Sequence, residues 1–472
     1  MIANLKPYPE YKASGQAWLG EVPKHWELLP NRAIFAEVKD RNHPGEEMLS
    51  VTITKGIIRQ KALLAKSSKK DSSNLDKSAY KLVCPGDIAY NKMRAWQGAI
   101  GVSDFRGIVS PAYVIMRLRD QHVGRFFHHL YRTPHFAKEA ERWSYGITSD
   151  MWSLRPEHFK MIYAPLPPPD EQAAIVRFLD YANQRLEKAI RAKRKVISLL
   201  NEQKQIIIHR AVTRGLDPNV RLKPSGISWL GEIPEGWEVR PLKQLLVQMD
   251  YGTSENVRGK GKVRVLTMGH IRDGKIVLPE KGGLDAVPPG LLLAKNDLLF
   301  NRTNSPELVG KVGLFIGDAN DEVTFASYLV RLRVRSEHNP IWLNYLLNST
   351  AFWRYARSQA LVSLHQANLN SKRYGQMVLP VPSRSVAQDK IVEHIRSQVD
   401  EIERAISRLE REITLLLEYR TRLIADVVTG KLDVREAAAR LPDEIEFPDL
   451  STSNEEFTPE GEDDSMIDEG EG

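Results

Sequence analysis

Cysteine is almost absent from this chain: Cys84 is the only one in 472 residues. A lone thiol excludes an internal disulfide framework and suits a reducing compartment, so a cytoplasmic protein is expected. The thiol itself reads as a small buried group ahead of a turn. Long hydrophobic runs are missing too. No stretch approaches the roughly 20 apolar residues of a membrane span, and the polar start MIANLKPYPEYK has no apolar core of an export signal. The twelve histidines show neither HExxH nor CxxC-type spacing, and the adjacent pair His128-His129 is poorly set for chelation, so no metal site is expected. A GxxxxGKS/T phosphate loop is also lacking. The string RGKGK at 258–262 is glycine-rich and basic but has neither the spacing nor the hydroxyl.

Acidic residues are scarce over most of the chain and crowded at one end. Residues 442–472 contain thirteen Asp and Glu and no Lys or Arg. Without them, 67 basic side chains face 47 acidic ones, so residues 1–441 carry +20 where the whole chain carries +7. A body that basic favours a polyanion, because Lys and Arg on nucleic-acid phosphates release condensed counterions. The acidic tail reads as a disordered, solubilising segment. With 42% hydrophobic and 27% charged residues, the remainder has the composition of a folded globular protein.

What the chain has in abundance is self-similarity. Residues 12–30, KASGQAWLGEVPKHWELLP, return at 223–241 as KPSGISWLGEIPEGWEVRP. Trp18, Gly20, Pro23 and Trp26 reappear as Trp229, Gly231, Pro234 and Trp237. LVCPGDIAYNKM, around Asp87 and Asn91, answers LLLAKNDLLFNRT, around Asp297 and Asn301. APLPPPDEQAAIV (164–176) answers LPVPSRSVAQDKIV (379–392), and ISLLNEQKQIIIHRAVTRGLD (197–217) answers ITLLLEYRTRLIADVVTGKLD (413–433). A period of about two hundred residues is too long for a solenoid unit and marks a duplicated domain. The copies agree at their edges and differ inside: residues 55–80 have no counterpart in 251–290.

Each copy ends in a helical pattern. Leu179, Asn183, Leu186, Ile190, Lys193, Ile197, Leu200, Lys204, Ile207 and Ala211 alternate steps of four and three. So do Ile395, Val399, Ile402, Ile406, Leu409, Ile413, Leu416, Arg420, Leu423 and Val427. More than four heptads without Gly or Pro predict a coiled coil. The expected seam contains Leu186, Ile190, Ile197 and Leu200 facing Ile402, Ile406, Leu409, Ile413 and Leu416. Only a short loop follows the first helix, so the second must run back to pack on it. A parallel pair would also set Lys204 beside Arg420. Pairing with another chain is the alternative.

The expected fold class is α+β: two α/β domains in tandem repeat, separated by two long antiparallel coiled-coil helices, with pseudo-two-fold symmetry. The expected boundaries are an N-terminal segment and first domain over 1–168, a first spacer helix over 169–213, and a linker with the repeated WLGEIP segment over 214–235. A second domain (236–383), a second spacer helix (384–429) and a C-terminal segment with the acidic tail (430–472) complete the chain. Predicted strands include 48–53, 113–119, 263–268 and 328–334, and 123–142 and 340–358 read as helical.

The repeated WLGEVP/WLGEIP entry, the GDIAYNKM/NDLLFNRT turns, the proline-rich run into each long helix and the exits HRAVTRGLD and ADVVTGKLD together resemble the specificity subunits of type I restriction–modification systems. The resemblance spans about residues 8–435, with Glu171-Gln172 of the first copy replaced by Ala387-Gln388 in the second. It implies that each domain is a target-recognition domain reading one half of a split double-stranded DNA sequence. It implies that the helices set the unread gap and dock two modification (methyltransferase) subunits, with restriction or motor subunits joining through the complex. S-adenosylmethionine, ATP and Mg are then expected on those partner subunits, none on this chain, and no membrane is involved. The chain itself is expected to be non-catalytic. In keeping with that, the Asn/Asp-Pro-Pro-Tyr/Phe loop of adenine methyltransferases is missing; SPAY (110–113) and AVPPG (286–290) fail it. A stand-alone DNA-binding regulator and a self-sufficient nuclease or methyltransferase are the competing classes, and no RNP or KH signature supports RNA binding.

Residues that the copies share point to scaffold, and residues where they differ point to readout. On that logic Lys92, Arg94 and Gln97 in the first copy, and Arg302, Thr303 and Asn304 in the second, are the candidate base readers, since Arg suits guanine and Asn or Gln suits adenine. Lys55, Arg59, Lys61, Lys66, Lys69 and Lys70, with Arg258, Lys260, Lys262 and Arg264, are candidate phosphate or groove contacts. Thr148, Ser149, His365 and Gln366 lie on polar loops before the last strand of each domain. Asn91 and Asn301 have a turn-closing reading, and the repeated tryptophans a packing one.

Overall fold

The computed structural model describes residues 5–64, 76–119, 122–146, 151–255, 261–281, 283–317, 321–363 and 366–442. Two compact units emerge. The first takes residues 1–192 and 412–472, the second residues 193–411. Mixed helix and sheet in each make the chain α+β. Among the described residues no helix is long and apolar enough to cross a membrane.

The first unit is built on a four-stranded antiparallel sheet of β1 (Phe35–Val38), β2 (Ile88–Asn91), β3 (Ile100–Val102) and β4 (Tyr113–Leu118) in the order β1-β4-β2-β3. The central strand β2 presents Ile88, Ala89 and Tyr90, all fully buried, so both sheet faces are covered. Helices α1 (Gly124–Tyr131) and α2 (Pro134–Arg142) occupy the stretch 123–142 that reads as helical. They are divided at Thr133, whose hydroxyl accepts from the Phe136 amide while Pro134 takes the first turn. Trp18 meets Phe136 edge to face at 5.8 Å, which makes it a packing anchor. Helix α3 (Pro169–Arg214) opens on a proline with Asp170 and Glu171 in its first turn, where the helix dipole favours carboxylates.

The expected separate C-terminal segment is, in its described part, a piece of this first unit. Val434 and Ala438, on and beside the short helix Arg435–Ala439, are buried in the same core as Tyr8 and Trp26. Lys6 bridges Asp433 strand to strand. Gly430 is required there: its φ is 80°, and a Cβ would strike Pro23. The acidic tail beyond residue 442 lies outside the described residues.

The second unit repeats the plan with β5 (Leu246–Tyr251), β6 (Ile271–Arg272), β7 (Lys275–Ile276), β8 (Leu298–Asn301), β9 (Thr303–Asn304), β10 (Val312–Leu314) and β11 (Leu329–Val334). Its sheet runs β5-β11-β8-β10-β7-β6, so the order of the first unit is kept and two short strands are added. Helices α4 (Pro340–Leu347) and α5 (Thr350–Ser358) stand where α1 and α2 stand in the first unit, and Trp229 meets Phe352 at 5.4 Å. A ribbon of β12 (Leu361–Ser363) and β13 (Gln366–Asn368) pairs with β9. Helix α6 (Ser385–Val428) closes the plan.

Seam positions are distributed between the units. In the first, Leu186 and Ile190 are buried and Ile413 and Leu416 half-buried. In the second, Ile402 is buried, while Ile197, Leu200, Ile406 and Leu409 are half-buried. Two of the polar seam residues meet carboxylates, each within its own unit: Lys204 meets Glu403 at 2.6 Å, and Arg420 meets Glu187 at 3.7 Å. Burial tends to raise the Glu403 carboxyl, but the hydrogen bond and charge of Lys204, with Lys275, outweigh it and hold the group below its usual range.

Candidate nucleic-acid interface

The repeated Asp and Asn of the two turns have scaffold geometry. Asp87, 2% exposed, accepts two hydrogen bonds from Arg117 at 2.8 and 2.9 Å and one from the Cys84 amide at 2.9 Å. Asp297, also 2% exposed, accepts two from Arg333 at 2.8 and 2.7 Å and one from the Ala294 amide at 2.8 Å. These forked pairs tie β2 to β4 and β8 to β11. Through its hydrogen bond, each carboxylate pushes its arginine above the ordinary guanidinium value, against the opposing effect of burial. The Gln of the EQ/AQ pair is shared in the same way. Gln172 accepts from the Val123 amide and faces His122; Gln388 accepts from the Asn339 amide and faces His338.

Beyond those pairs, one end of each sheet collects the divergent residues. In the first unit this end holds Asn91, Lys92 and Tyr113, with Asn91 accepting from the Met93 amide at 3.0 Å, so it closes its own turn. Arg94 donates to Gln97 at 3.0 Å, and Trp96 donates to the Met93 carbonyl and meets Trp152 edge to face at 5.6 Å. Lys81, which bridges Arg41, adds a group the sequence reading missed. Burial pulls its ammonium down to about 8, and the charges of Lys92, Arg41 and Lys39 act the same way. Lys81 is buried and its Nζ donates to the Tyr113 carbonyl, so the charge offered at this end comes from half-buried Lys92 and exposed Arg41.

In the second unit the same sheet end holds Asn301, Arg302, Tyr251 and Tyr328. The Arg302 guanidinium lies over the Tyr251 ring at 5.0 Å and donates to Asn368 at 3.3 Å, and its Nε is buried without a partner. Asn368 in turn donates to the Thr303 hydroxyl at 3.1 Å. Thr303 is buried and thus turned away from any ligand, while half-buried Asn304 accepts from the Ser305 amide. Gln366 is exposed on β13.

The basic loops are more scattered. Lys55 is exposed beside the hairpin Leu49–Thr52/Gly56–Arg59. Arg59 lies over Phe105 at 5.0 Å and 3.4 Å from Glu47, with Lys61 3.9 Å from the same carboxylate. Arg132 clamps this hairpin by donating to the Ile53 and Thr54 carbonyls at 2.8 Å, and burial brings its guanidinium down to about 10. Lys262 pairs with Glu322 at 3.3 Å, and Arg264 pairs with Asp321. Lys66, Lys69, Lys70, Thr148, Ser149, Arg258, Lys260 and His365 lie outside the described residues. Among the described residues, no group of three or more His, Cys, Asp or Glu is placed to hold a metal ion.

Lys39, Arg41 and Lys81 escaped the sequence reading because they arrive from separate segments. Tyr251 carried one usable signal: it ends a strand-like run in the copy of the sheet that also supplies Arg302.

No family model matches the chain. Among curated proteins it is 28% identical over 287 residues to the type I restriction enzyme MjaVIII specificity subunit of Methanocaldococcus jannaschii, covering 59% of this chain and 64% of that protein. A second protein of that organism, provisionally named the type I restriction enzyme MjaX specificity subunit, is 26% identical over 192 residues, or 40% of this chain and 44% of its own length. The matches thus span about half to two thirds of these relatives. A solved structure from a study of assembly and conformational transition of the type I R-M system shares the fold. Its TM-score is 0.62 at 15% identity, over 87% of this chain and 99% of that one. The chain is therefore similar in sequence to type I restriction specificity subunits, and in fold to a chain from a type I R-M system.

Proposed function

We propose that this chain is the DNA specificity subunit of a type I restriction–modification complex, each unit reading one half of a bipartite, asymmetric target. The observation that carries the reading is the pairing of identical scaffolds with different surfaces. Asp87–Arg117 and Asp297–Arg333 have the same geometry, whereas the adjoining sheet ends present Lys92 and Arg41 in one unit and Arg302, Tyr251 and Tyr328 in the other. One frame with two reading edges suits two unlike half-sites.

In this reading α3 and α6 run antiparallel as the spacer. Two ion pairs support that register: Glu187 meets Arg420 in one unit and Lys204 meets Glu403 in the other, so seventeen residues forward on α3 match seventeen backward on α6. The helices also dock two modification subunits, and motor or nuclease subunits join through them. S-adenosylmethionine, ATP and Mg act on those partners, so this chain is non-catalytic. The single cysteine suits work in the cytoplasm.

The test is recovery of the full chain from the organism that carries it, with the stoichiometry of co-purifying methyltransferase subunits and DNA binding measured with and without them. Two methyltransferase copies, and site-specific affinity that appears only with them, are expected. Tight site-specific binding by the chain alone would favour the regulator reading, and methyl transfer or cleavage by the chain alone would overturn the non-catalytic role.

A further inference from the structure

The ribbon β12–β13 has an exposure that packing does not explain. Leu361 is 72% and Val362 63% exposed, and they are consecutive residues on an edge strand. Successive strand residues point to opposite faces, so both faces of the ribbon stand clear of the body at this point. Bare apolar residues on an unpaired edge are an association hazard that folded proteins usually blunt with charge or proline. The neighbouring charges are instead placed at the ribbon's base. Lys372 and Arg373 are exposed, Arg373 donates to the Gln359 carbonyl at 3.1 Å, and Arg302 donates to Asn368 of β13.

The ribbon is also fixed to the turn that carries the candidate readers. The Leu369 amide donates to the Arg302 carbonyl at 2.8 Å, and β9, which holds Thr303 and Asn304, pairs with β13. The first unit repeats this attachment: the Leu154 amide donates to the Lys92 carbonyl at 2.9 Å, and Tyr145 bridges Ser153 as Leu361 bridges Asn368. Tyr145 is likewise 59% exposed. The same place in both units therefore holds an exposed apolar side chain on a paired segment, and its identity differs between the copies.

We propose that the ribbon Leu361–Ser363/Gln366–Asn368 enters the major groove of the target and that Leu361 and Val362 read thymine through its C5-methyl group. A two-stranded ribbon fits the width of that groove, and apolar contact with the methyl is how a hydrophobic side chain distinguishes thymine there. The basic groups at the ribbon's base, Arg302, Lys372 and Arg373, face the flanking phosphates. The inference rests on the proposed function and names side chains that choose bases within it.

The experiment is selection of binding sites from random duplexes by the complex purified on the full chain, compared with Leu361→Ser and Val362→Ser chains. Binding to the selected site is then measured with each thymine of one half-site replaced by uracil. Both substituted positions are exposed, so melting temperatures should stay within about 2 °C of the parent. Uracil should weaken the parent about fourfold at a contacted position, the worth of one buried methyl, and the variants should lose that distinction in one half-site only. A parent that selects a two-part site, with variants that keep its thymine preference, overturns the ribbon's role and leaves the proposed function standing. Equal weakening on all sequences would make the ribbon a non-specific contact and also overturn it. A parent that selects no two-part site overturns the proposed function itself.

Discussion

Replacing Asp297 by Ala should destabilise the second unit without changing what the chain reads. The carboxylate is 2% exposed and accepts three hydrogen bonds, two from Arg333 and one from the Ala294 amide. Removing one partner of a buried, hydrogen-bonded ion pair costs about 3–5 kcal/mol. Arg333 retains 35% of its side-chain exposure, so the stranded guanidinium partly rehydrates and the lower figure, about 3 kcal/mol, is the better estimate. For a unit of this size that corresponds to a melting temperature about 6–12 °C lower. Scanning calorimetry of the full chain reads it directly, and Asp87→Ala should move the other unit by a similar amount. Gln366→Ala, at an exposed position on the ribbon, should leave both transitions in place. An Asp297→Ala chain that melts within a degree of the parent, or that melts normally and selects a different sequence, would refute the assignment of shared residues to scaffold.

Further outcomes follow from the same geometry. His128 is half-buried, and the loss of hydration around it, followed by the charges of His129, Arg132 and Arg125, holds its imidazole well below the ordinary value. The unfolded chain binds the extra proton first, so the first unit's stability should be full above about pH 6.5 and fall as pH drops below it; a melting temperature flat between pH 7 and 5.5 would contradict this. Arg41→Ala should weaken DNA binding on all sequences alike and reduce the salt slope by about one, as titrations at several ionic strengths would show, whereas Lys92→Ala should alter one half-site alone. An unchanged slope for Arg41→Ala would remove the phosphate role from that edge. Inserting four residues into each long helix near Ile197 and Ile413 adds about 6 Å. The gap between half-sites should lengthen by about one to two base pairs with both half-sites unchanged, and site selection would expose an unchanged gap.

The frame was largely legible in the sequence because duplication prints each scaffold residue twice. Asp87 and Asp297, Gln172 and Gln388, and Trp18 and Trp229 recur at matching positions and make matching contacts. Strands expected at 113–119 and 328–334 appear at Tyr113–Leu118 and Leu329–Val334. The reading edge was less legible, since it is assembled from separate segments. Lys81 meets Arg41 through strand pairing, and Arg302 meets Tyr251 through the fold. Thr303 shows the limit from the other side: it diverges from its counterpart, as a reader should, yet the neighbouring ribbon turns it inward onto Asn368. Divergence also marks a contact that is only structural. Glu171 accepts from Tyr8 and Trp26 and meets His25, whereas the second copy has Ala387 and Gly236 at those places, so that network has no twin.

The central claim, two unlike readers on one spacer, is tested most directly by mapping methylated adenines across the genome that carries this gene, with the gene intact and deleted. The account predicts one asymmetric motif of two short parts with an unread gap, methylated only when the gene is present. Substituting residues in the second unit should alter one part alone. Methylation that persists unchanged after deletion, or a lost motif that is continuous or palindromic, would contradict it.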